Sequence, residues 1–388
     1  MSLNARIESV KGIVKRDGYL EVCKRISMKC FGKTKKIICK LKRNIKKKNN
    51  KSKELLIALY PTGGLGDYII SSKVLEELQG LCKCHIYVYC EKVSFGEAIY
   101  GNRKDVTVKN YSKFEIERYD CDLALTIEHF IHIRNIDWSR IKKLSLELFS
   151  RMKYLKSNWN QLYVDIPQQC FREMVHFQRC KALGLNRWTE LRMGKTFDIK
   201  DQSVYIPLLE DYRNKFDNLS FSTERYITLN CGTDAMRSTG TQTKTWPREK
   251  YEELISLIKN KYKDIKIVQL GAIDGIKLKN IDYYVMGESL ELTKWILKNS
   301  ILHIDIEGGL VHLATQLGTK CAVIFGPTPM HMYAYDKNEN IRNDICYGCM
   351  GCNENWAYKC YKGYSVPLCM NQITSKLVFE KISKYIEE

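Results

Sequence analysis

The pattern of apolar and polar positions changes abruptly near Ser52. Before it, isolated apolar residues are scattered among lysines; after it, apolar residues come in regular blocks. Leu55–Tyr60 is a continuous apolar run, the pattern of a strand buried on both faces. PTGGLGD follows, and then YIISSKVLEEL with helical periodicity. Further strands are predicted at 85–90, 106–109 and 123–127, and a long helix over 171–183 that stops at Gly184. Residues 198–225 have mixed charge and weak periodicity and read as a connection. The alternation restarts at Tyr226 with YITLNCGT, a strand and turn. PREKYEELISLIKNKY is a helix opened by Pro247, IKIVQLGA a strand, and SLELTKWILKNS a helix with Ser289 as N-cap. LHIDIEGG and KCAVIFGP are strands around a helix that begins near Leu310, and 373–386 closes the chain as a helix.

Alternating strands and helices imply mainly parallel sheets covered on both faces. The predicted fold class is α/β, with two Rossmann-like, doubly wound domains facing a cleft. The expected organisation is a basic extension over 1–53, a first domain over 54–205, a second over 225–370 and a terminal helix over 371–388. Gly-rich turns at Gly63–Gly66, Cys231–Gly232 and Gly308–Gly309 each follow a strand. All three would open on the ligand crevice at the carboxyl ends of the strands.

Charge adds one feature. Residues 1–53 hold 18 Lys/Arg and three Asp/Glu, whereas the remainder is nearly balanced at 45 against 41. Such an arm suits an anionic membrane surface as a basic amphipathic helix, nucleic acid, or simply water. A near-neutral body disfavours nucleic acid as the main partner. No apolar run reaches the ~18–20 residues of a membrane span, and the first residues lack a signal-peptide core. The chain is therefore read as cytoplasmic, held peripherally at the inner membrane face by the arm.

Three tracts carry chemistry. In TGGLGD, Asp67 stands at a helix start facing the cleft, either as a base for an attacking hydroxyl or as a residue stabilising the helix dipole. Gly63, Gly64 and Gly66 would let another molecule approach the backbone. In TGTQTKTWPREKY, Lys244 precedes a helix N-terminus, flanked by the hydroxyls of Thr241, Thr243 and Thr245, a suitable clamp for a diphosphate. Trp246 is expected to pack under the helix. In DIEGGLVHLA, Gly308 and Gly309 lead into a helix that carries His312, with Glu307 ahead of it to accept hydroxyls; packing glycines and a satisfied histidine are the plainer reading. Asp305 is a second acid. Asp120-Cys121-Asp122 is a literal D-x-D, a pair of acids of the kind that can hold a metal, but it opens a predicted strand.

Taken in order, GGLGD, K-T-W-P, EGGLVHLA…LGT…FGPT and the cysteine-bearing CYGCMGCN…CYKGYSVPLCMNQI resemble glycosyltransferase family 9, the ADP-heptose:lipopolysaccharide heptosyltransferases and their relatives. The resemblance covers roughly 54–385 and implies the GT-B fold. It implies that Asp67 is the catalytic base, that Lys244, with Thr243 and Thr245, holds the donor diphosphate, and that Glu307, Gly308, Gly309 and His312 complete the donor site. Glu307-Gly308-Gly309 departs from the family's D-[ST]-G. The implied reaction is an inverting, metal-independent transfer of a sugar, heptose foremost, from a nucleotide sugar (ADP-heptose favoured) to a lipopolysaccharide-core or other glycan acceptor. A protein heptosyltransferase and a non-catalytic nucleotide-sugar-binding relative are the alternatives. No cofactor is then required for catalysis.

Most cysteines sit in apolar runs and read as small core residues. The exception is the segment 346–369. Cys349, Cys352, Cys360 and Cys369 have the spacing of a four-thiolate structural zinc or iron site, with Cys346 as an alternative ligand. Reduced thiols are the other reading. Some related protein-modifying heptosyltransferases resemble a Cys-bound iron arrangement.

Overall fold

The computed structural model describes residues 52–128, 130–159, 172–232, 242–353 and 355–388. The arm as far as residue 51, and Thr241, lie outside the described residues, so the roles expected of them have no structural counterpart here.

The first unit opens with β1 (Leu55–Pro61), α1 (Leu65–Leu81), β2 (Cys84–Cys90), α2 (Val93–Tyr100) and β3 (Val106–Asn110). It continues through β4 (Leu123–Ile127), β5 (Ile131–Ile136), α3 (Trp138–Leu144), α4 (Leu146–Ser157) and α5 (Arg172–Ala182). Its sheet has the order β3-β2-β1-β4-β5, parallel except for the β4–β5 hairpin. β1 lies between β2 and β4, which is why its sequence is apolar without alternation. Asp122 serves the sheet: it accepts from the Leu56 N–H at 2.9 Å and pairs with Arg140 Nε at 3.1 Å. The D-x-D match therefore has its second carboxylate buried and occupied.

A connection follows, and it contains α6 (Glu210–Asp217). Its weak periodicity has a physical cause: Phe216 is the one residue of this helix that is buried. The second unit comprises β6 (Tyr226–Leu229), α7 (Arg248–Lys261), β7 (Lys266–Gly271), β8 (Tyr283–Met286), α8 (Leu290–Lys298), β9 (Leu302–Ile306), α9 (Gly309–Gln316), β10 (Lys320–Phe325), β11 (Glu339–Arg342) and α10 (Ser375–Glu387). Its six strands are all parallel, in the order β8-β7-β6-β9-β10-β11. This is the dinucleotide-fold order, and it places the topological switch point between β6 and β9. Ser289 caps α8 by accepting from the Leu292 N–H, as expected, whereas Pro247 is the cap residue of α7 rather than its first helical residue. Trp246 is fully buried, edge-on to Tyr251, and donates its indole N–H to the Ile373 carbonyl at 3.0 Å. Val378, Ile382 and Ile386 of α10 join the core under α7.

β9 is buried along its whole length despite His303 and Asp305. Both have partners inside the sheet: His303 Nδ1 lies 3.0 Å from Thr228 Oγ1, its buried Nε2 has only the Asp305 carboxylate near it, at 3.5 Å, and Asn230 Nδ2 donates to both Asp305 oxygens at 3.1 Å. Burial pushes the Asp305 carboxyl up. Asp305 is thus part of the sheet's polar core, and the strand ends before Glu307.

Candidate functional site

The two switch points face each other. The turn after β1 leads into α1 and the turn after β9 leads into α9, and the two helix starts meet. A Cβ on Gly66 would lie 2.5 Å from His312 Cδ2, and one on Gly309 would lie 2.8 Å from Leu65 Cβ. Gly66 and Gly309 are therefore small because the other unit occupies their space. Gly63 has φ +101°, and a Cβ there would strike the Asp67 carboxylate at 2.3 Å. Gly308 differs from the expectation. Its backbone is extended and a Cβ would meet nothing closer than 3.7 Å, so packing does not require glycine there.

Asp67 lies in the first turn of α1. Its Oδ2 accepts from the Gly64 N–H at 3.0 Å, a capping box across a turn that no hydroxyl caps. Its Oδ1 lies 3.5 Å from Arg187 Nη2, and its side chain is 35% exposed. One oxygen of Asp67 thus caps the helix, as its plainer reading expects, and the other lies toward Arg187.

Across the junction, Lys244 Nζ donates to Glu307 Oε2 at 2.6 Å, and Glu307 Oε1 stands 3.4 Å from His312 Nε2. His312 Nδ1 is 2.7 Å from the Tyr335 hydroxyl, which fixes the ring. Burial, the largest influence on Glu307, pushes its carboxyl up, yet Lys244 and His312 together hold it below the ordinary value. The lysine and the acid expected to act side by side are therefore an ion pair.

Thr243 departs from its expected role. It is buried, donates its hydroxyl to the Trp356 carbonyl at 2.7 Å and its N–H to the Ala357 carbonyl at 3.1 Å. It ties the Lys244 loop to the cysteine-rich segment. Thr245 is half-buried beside it. The Gly348 and Met350 N–H groups also bond the Gly326 and Pro327 carbonyls at the exit of β10.

Cys346, Cys349, Cys360 and Cys369 line one cavity of about 150 Å³, together with Thr243 and Trp356. Cys352 is buried beside them, and all five thiols are free. Gly348 and Gly351 stand at φ +69° and +75°, one within each C-x2-C turn. Burial pushes the Cys349 and Cys369 thiols up to about 12. These thiols are soft donors on two glycine turns around a small cavity, but no three of their sulfurs lie within 4.8 Å of one another. Among the described residues, the group whose donor atoms all lie within 4.8 Å of one another is a different one, His176, Cys180 and Glu190.

That group, with Arg187, is what sequence reasoning missed. His176 and Cys180 share one face of α5, an i, i+4 spacing that is legible in the chain. Their partner Glu190 comes from the 3-10 turn Thr189–Lys195 and has no sequence signal.

No protein-family model and no curated protein sequence matches the chain. Several solved structures do. The iron-containing dodecameric glycosyltransferase TibC from enterotoxigenic E. coli H10407 superposes over 86% of this chain and 79% of its own, with 14% identity and a TM-score of 0.60. A glycosyl transferase family 9 protein from Veillonella parvula covers 86% and 97%, at 15% identity and a TM-score of 0.54. E. coli ADP-heptose lps heptosyltransferase II covers 86% and 99%, at 15% identity and a TM-score of 0.51. The chain therefore has the GT-B fold of the heptosyltransferases, as its motifs imply. Among the described residues no helix is long and apolar enough to cross a membrane.

Proposed function

We propose that the protein is an inverting glycosyltransferase that moves heptose from ADP-heptose to a hydroxyl of a cell-surface glycan, lipopolysaccharide core foremost. The observation that carries this reading is the apposition of Asp67 with Lys244, Glu307 and His312 across two abutting helix starts. A carboxylate oxygen on one side and a cation with a helix N-terminus on the other are what an in-line displacement at a sugar carbon needs. The acceptor hydroxyl attacks the anomeric carbon while Asp67 takes its proton. The bond from that carbon to the diphosphate oxygen breaks on the opposite face. The negative charge growing on the leaving phosphate meets Lys244 and the N–H groups opening α9. Before the donor arrives, Glu307 holds Lys244 in place; the diphosphate then competes for the same ammonium. Glu307, one methylene longer than the aspartate usual in family 9, accepts sugar hydroxyls in this reading. ADP-heptose is favoured because TibC, similar in fold, was solved with ADP-D-beta-D-heptose. Residues 1–53 supply the contact with anionic lipid.

The donor is tested by thermal stabilisation across ADP-, GDP-, UDP- and dTDP-sugars. A ligand at a hundredfold excess over its Kd stabilises by about 2.7 kcal/mol. A shift selective for ADP-heptose, followed by transfer to a core glycan, is the expected result. A shift for another nucleotide sugar moves the donor. No shift with any of them leaves the donor reading without support.

A protein hydroxyl as acceptor is a second reading, favoured by the cysteine-lined cavity and by the likeness to an iron-containing glycosyltransferase. In either reading Cys349, Cys352, Cys360 and Cys369, or Cys346 in place of one, would hold a structural zinc or iron that braces the Lys244 loop through Thr243. Elemental analysis should find about one metal per chain, as four thiolates bind a single ion. Stripping it should lower both the melting temperature and donor affinity, and Cys349→Ser should do the same. Protein purified metal-free with unchanged stability would leave the cysteines as reduced thiols.

A further inference from the structure

We infer that the buried pair His176–Glu190 is a positioning device for Asp67, acting through Arg187. The inference rests on reading Asp67 as the base.

Arg187 follows the end of α5 and is almost completely buried. Its backbone N–H donates to the Met332 carbonyl at 2.8 Å, and its Nη2 donates to the Glu128 carbonyl, at the end of β4, at 2.9 Å. Nη1 binds Glu190 Oε1, and Nη2 reaches toward Asp67 Oδ1 at 3.5 Å. Glu190 in turn is bound through Oε2 to His176 Nε2 at 2.5 Å. Cys180 Sγ lies 3.6 Å from that nitrogen and 3.8 Å from that oxygen. The three donors lie within 4.8 Å of one another, and in the hydrogen-bonded arrangement they form a chain that ends on Arg187.

One guanidinium thus serves two carboxylates, but unequally. Burial pushes the Arg187 guanidinium down, and Glu190 with Asp67 outweighs it and holds the group above its ordinary value. The tight contact goes to Glu190, whose own orientation is locked by His176. The contact with Asp67 is long. This inequality has a chemical consequence. Asp67 Oδ2 accepts from the Gly64 N–H at 3.0 Å, whereas Oδ1 has only the long Arg187 contact at 3.5 Å and is the less engaged oxygen, the one placed to take a proton. A close guanidinium on Oδ1 would stabilise the carboxylate and blunt it as a base. Glu190, held by His176, keeps the guanidinium back: near enough to orient Oδ1, too far to neutralise it.

The experiment is a double-mutant cycle with Glu190→Gln, Arg187→Lys and the pair, with crystal structures of the wild type and Glu190→Gln beside it. Glu190→Gln keeps the shape and removes the charge. It should draw Arg187 Nη2 in to about 2.8 Å from Asp67 Oδ1. It should also lower kcat by about tenfold, as a sub-ångström misplacement at a reacting group does. KM for both substrates should stay within about twofold, since binding contacts are untouched. In the Arg187→Lys background the same change should have little further effect, because the device acts through the fork that lysine lacks. Additive losses across the cycle, an unmoved Arg187 in the variant crystal, or a kcat loss that merely follows a fall in melting temperature would each overturn the inference. If the wild type transfers no sugar from any donor, the functional reading fails, while the crystallographic distance still decides the positioning role.

Discussion

Asp67→Asn should reduce turnover by about 10²–10⁴-fold, the range lost with a general base, and leave donor binding close to wild type. The separation of the two effects follows from the geometry. Asn presents an oxygen that still accepts from the Gly64 N–H, so the start of α1 stays capped. The Lys244–Glu307–His312 group on the donor side is held together without Asp67. What disappears is the proton-accepting lone pair on Oδ1 and the charge that faces Arg187. Burst or steady-state transfer assays, read beside donor titration and a melting curve, check the result. Turnover near the wild-type rate would show that the proton leaves by another route.

Lys244→Met should have the second largest effect, and it acts on both binding and stability. Losing the charge-assisted contact to the diphosphate should weaken donor affinity by on the order of 10²-fold. Stability should fall by about 2–3 kcal/mol at neutral pH, because Glu307 is then buried without its cation. The figure sits below the usual cost of breaking a buried pair because His312 still faces the carboxylate. The pH dependence identifies the cause. In the wild type the folded-state pKa of Glu307 lies below its unfolded value near 4.5. Its contribution is therefore fully present above about pH 4.5 and is lost as pH falls below that. Without Lys244, burial dominates and raises the carboxyl. The variant then holds a proton that its unfolded chain has lost, so its stability falls as pH rises above 4.5. The gap between variant and wild type should be widest near neutrality and close on acidification. A gap independent of pH would mean that Lys244 stabilises through packing alone.

Much of the fold was legible because its signals are local. β1, β4 and the chain from β9 to β10 are short apolar runs punctuated by glycine, and such runs need no distant partner to be read. α6 was not read, since a helix that buries one phenylalanine has almost no periodicity to detect. The antiparallel β5 escaped for a related reason: its alternation runs only over Ile131–Arg134 and breaks at Asn135, where the register with β4 also shifts.

The candidate site divides along the same line. Residue type and spacing, by themselves, singled out the turns proposed to carry chemistry: Asp67 behind a glycine turn, Lys244 ahead of a helix, and Glu307 and His312 around another. The tertiary structure decided the pairings. It made Lys244 and Glu307 one ion pair, gave Thr243 to the cysteine-rich segment, buried Asp122 and Asp305 within the sheets, and brought Arg187, Glu190 and His176 behind Asp67. The physical reason is range. Backbone propensity and glycine geometry act within a few residues and leave their mark in the chain. A hydrogen bond between groups 63 residues apart, as between Lys244 and Glu307, or an ion pair between residues 120 apart, as between Asp67 and Arg187, exists only once both sheets have formed and their helix starts have met.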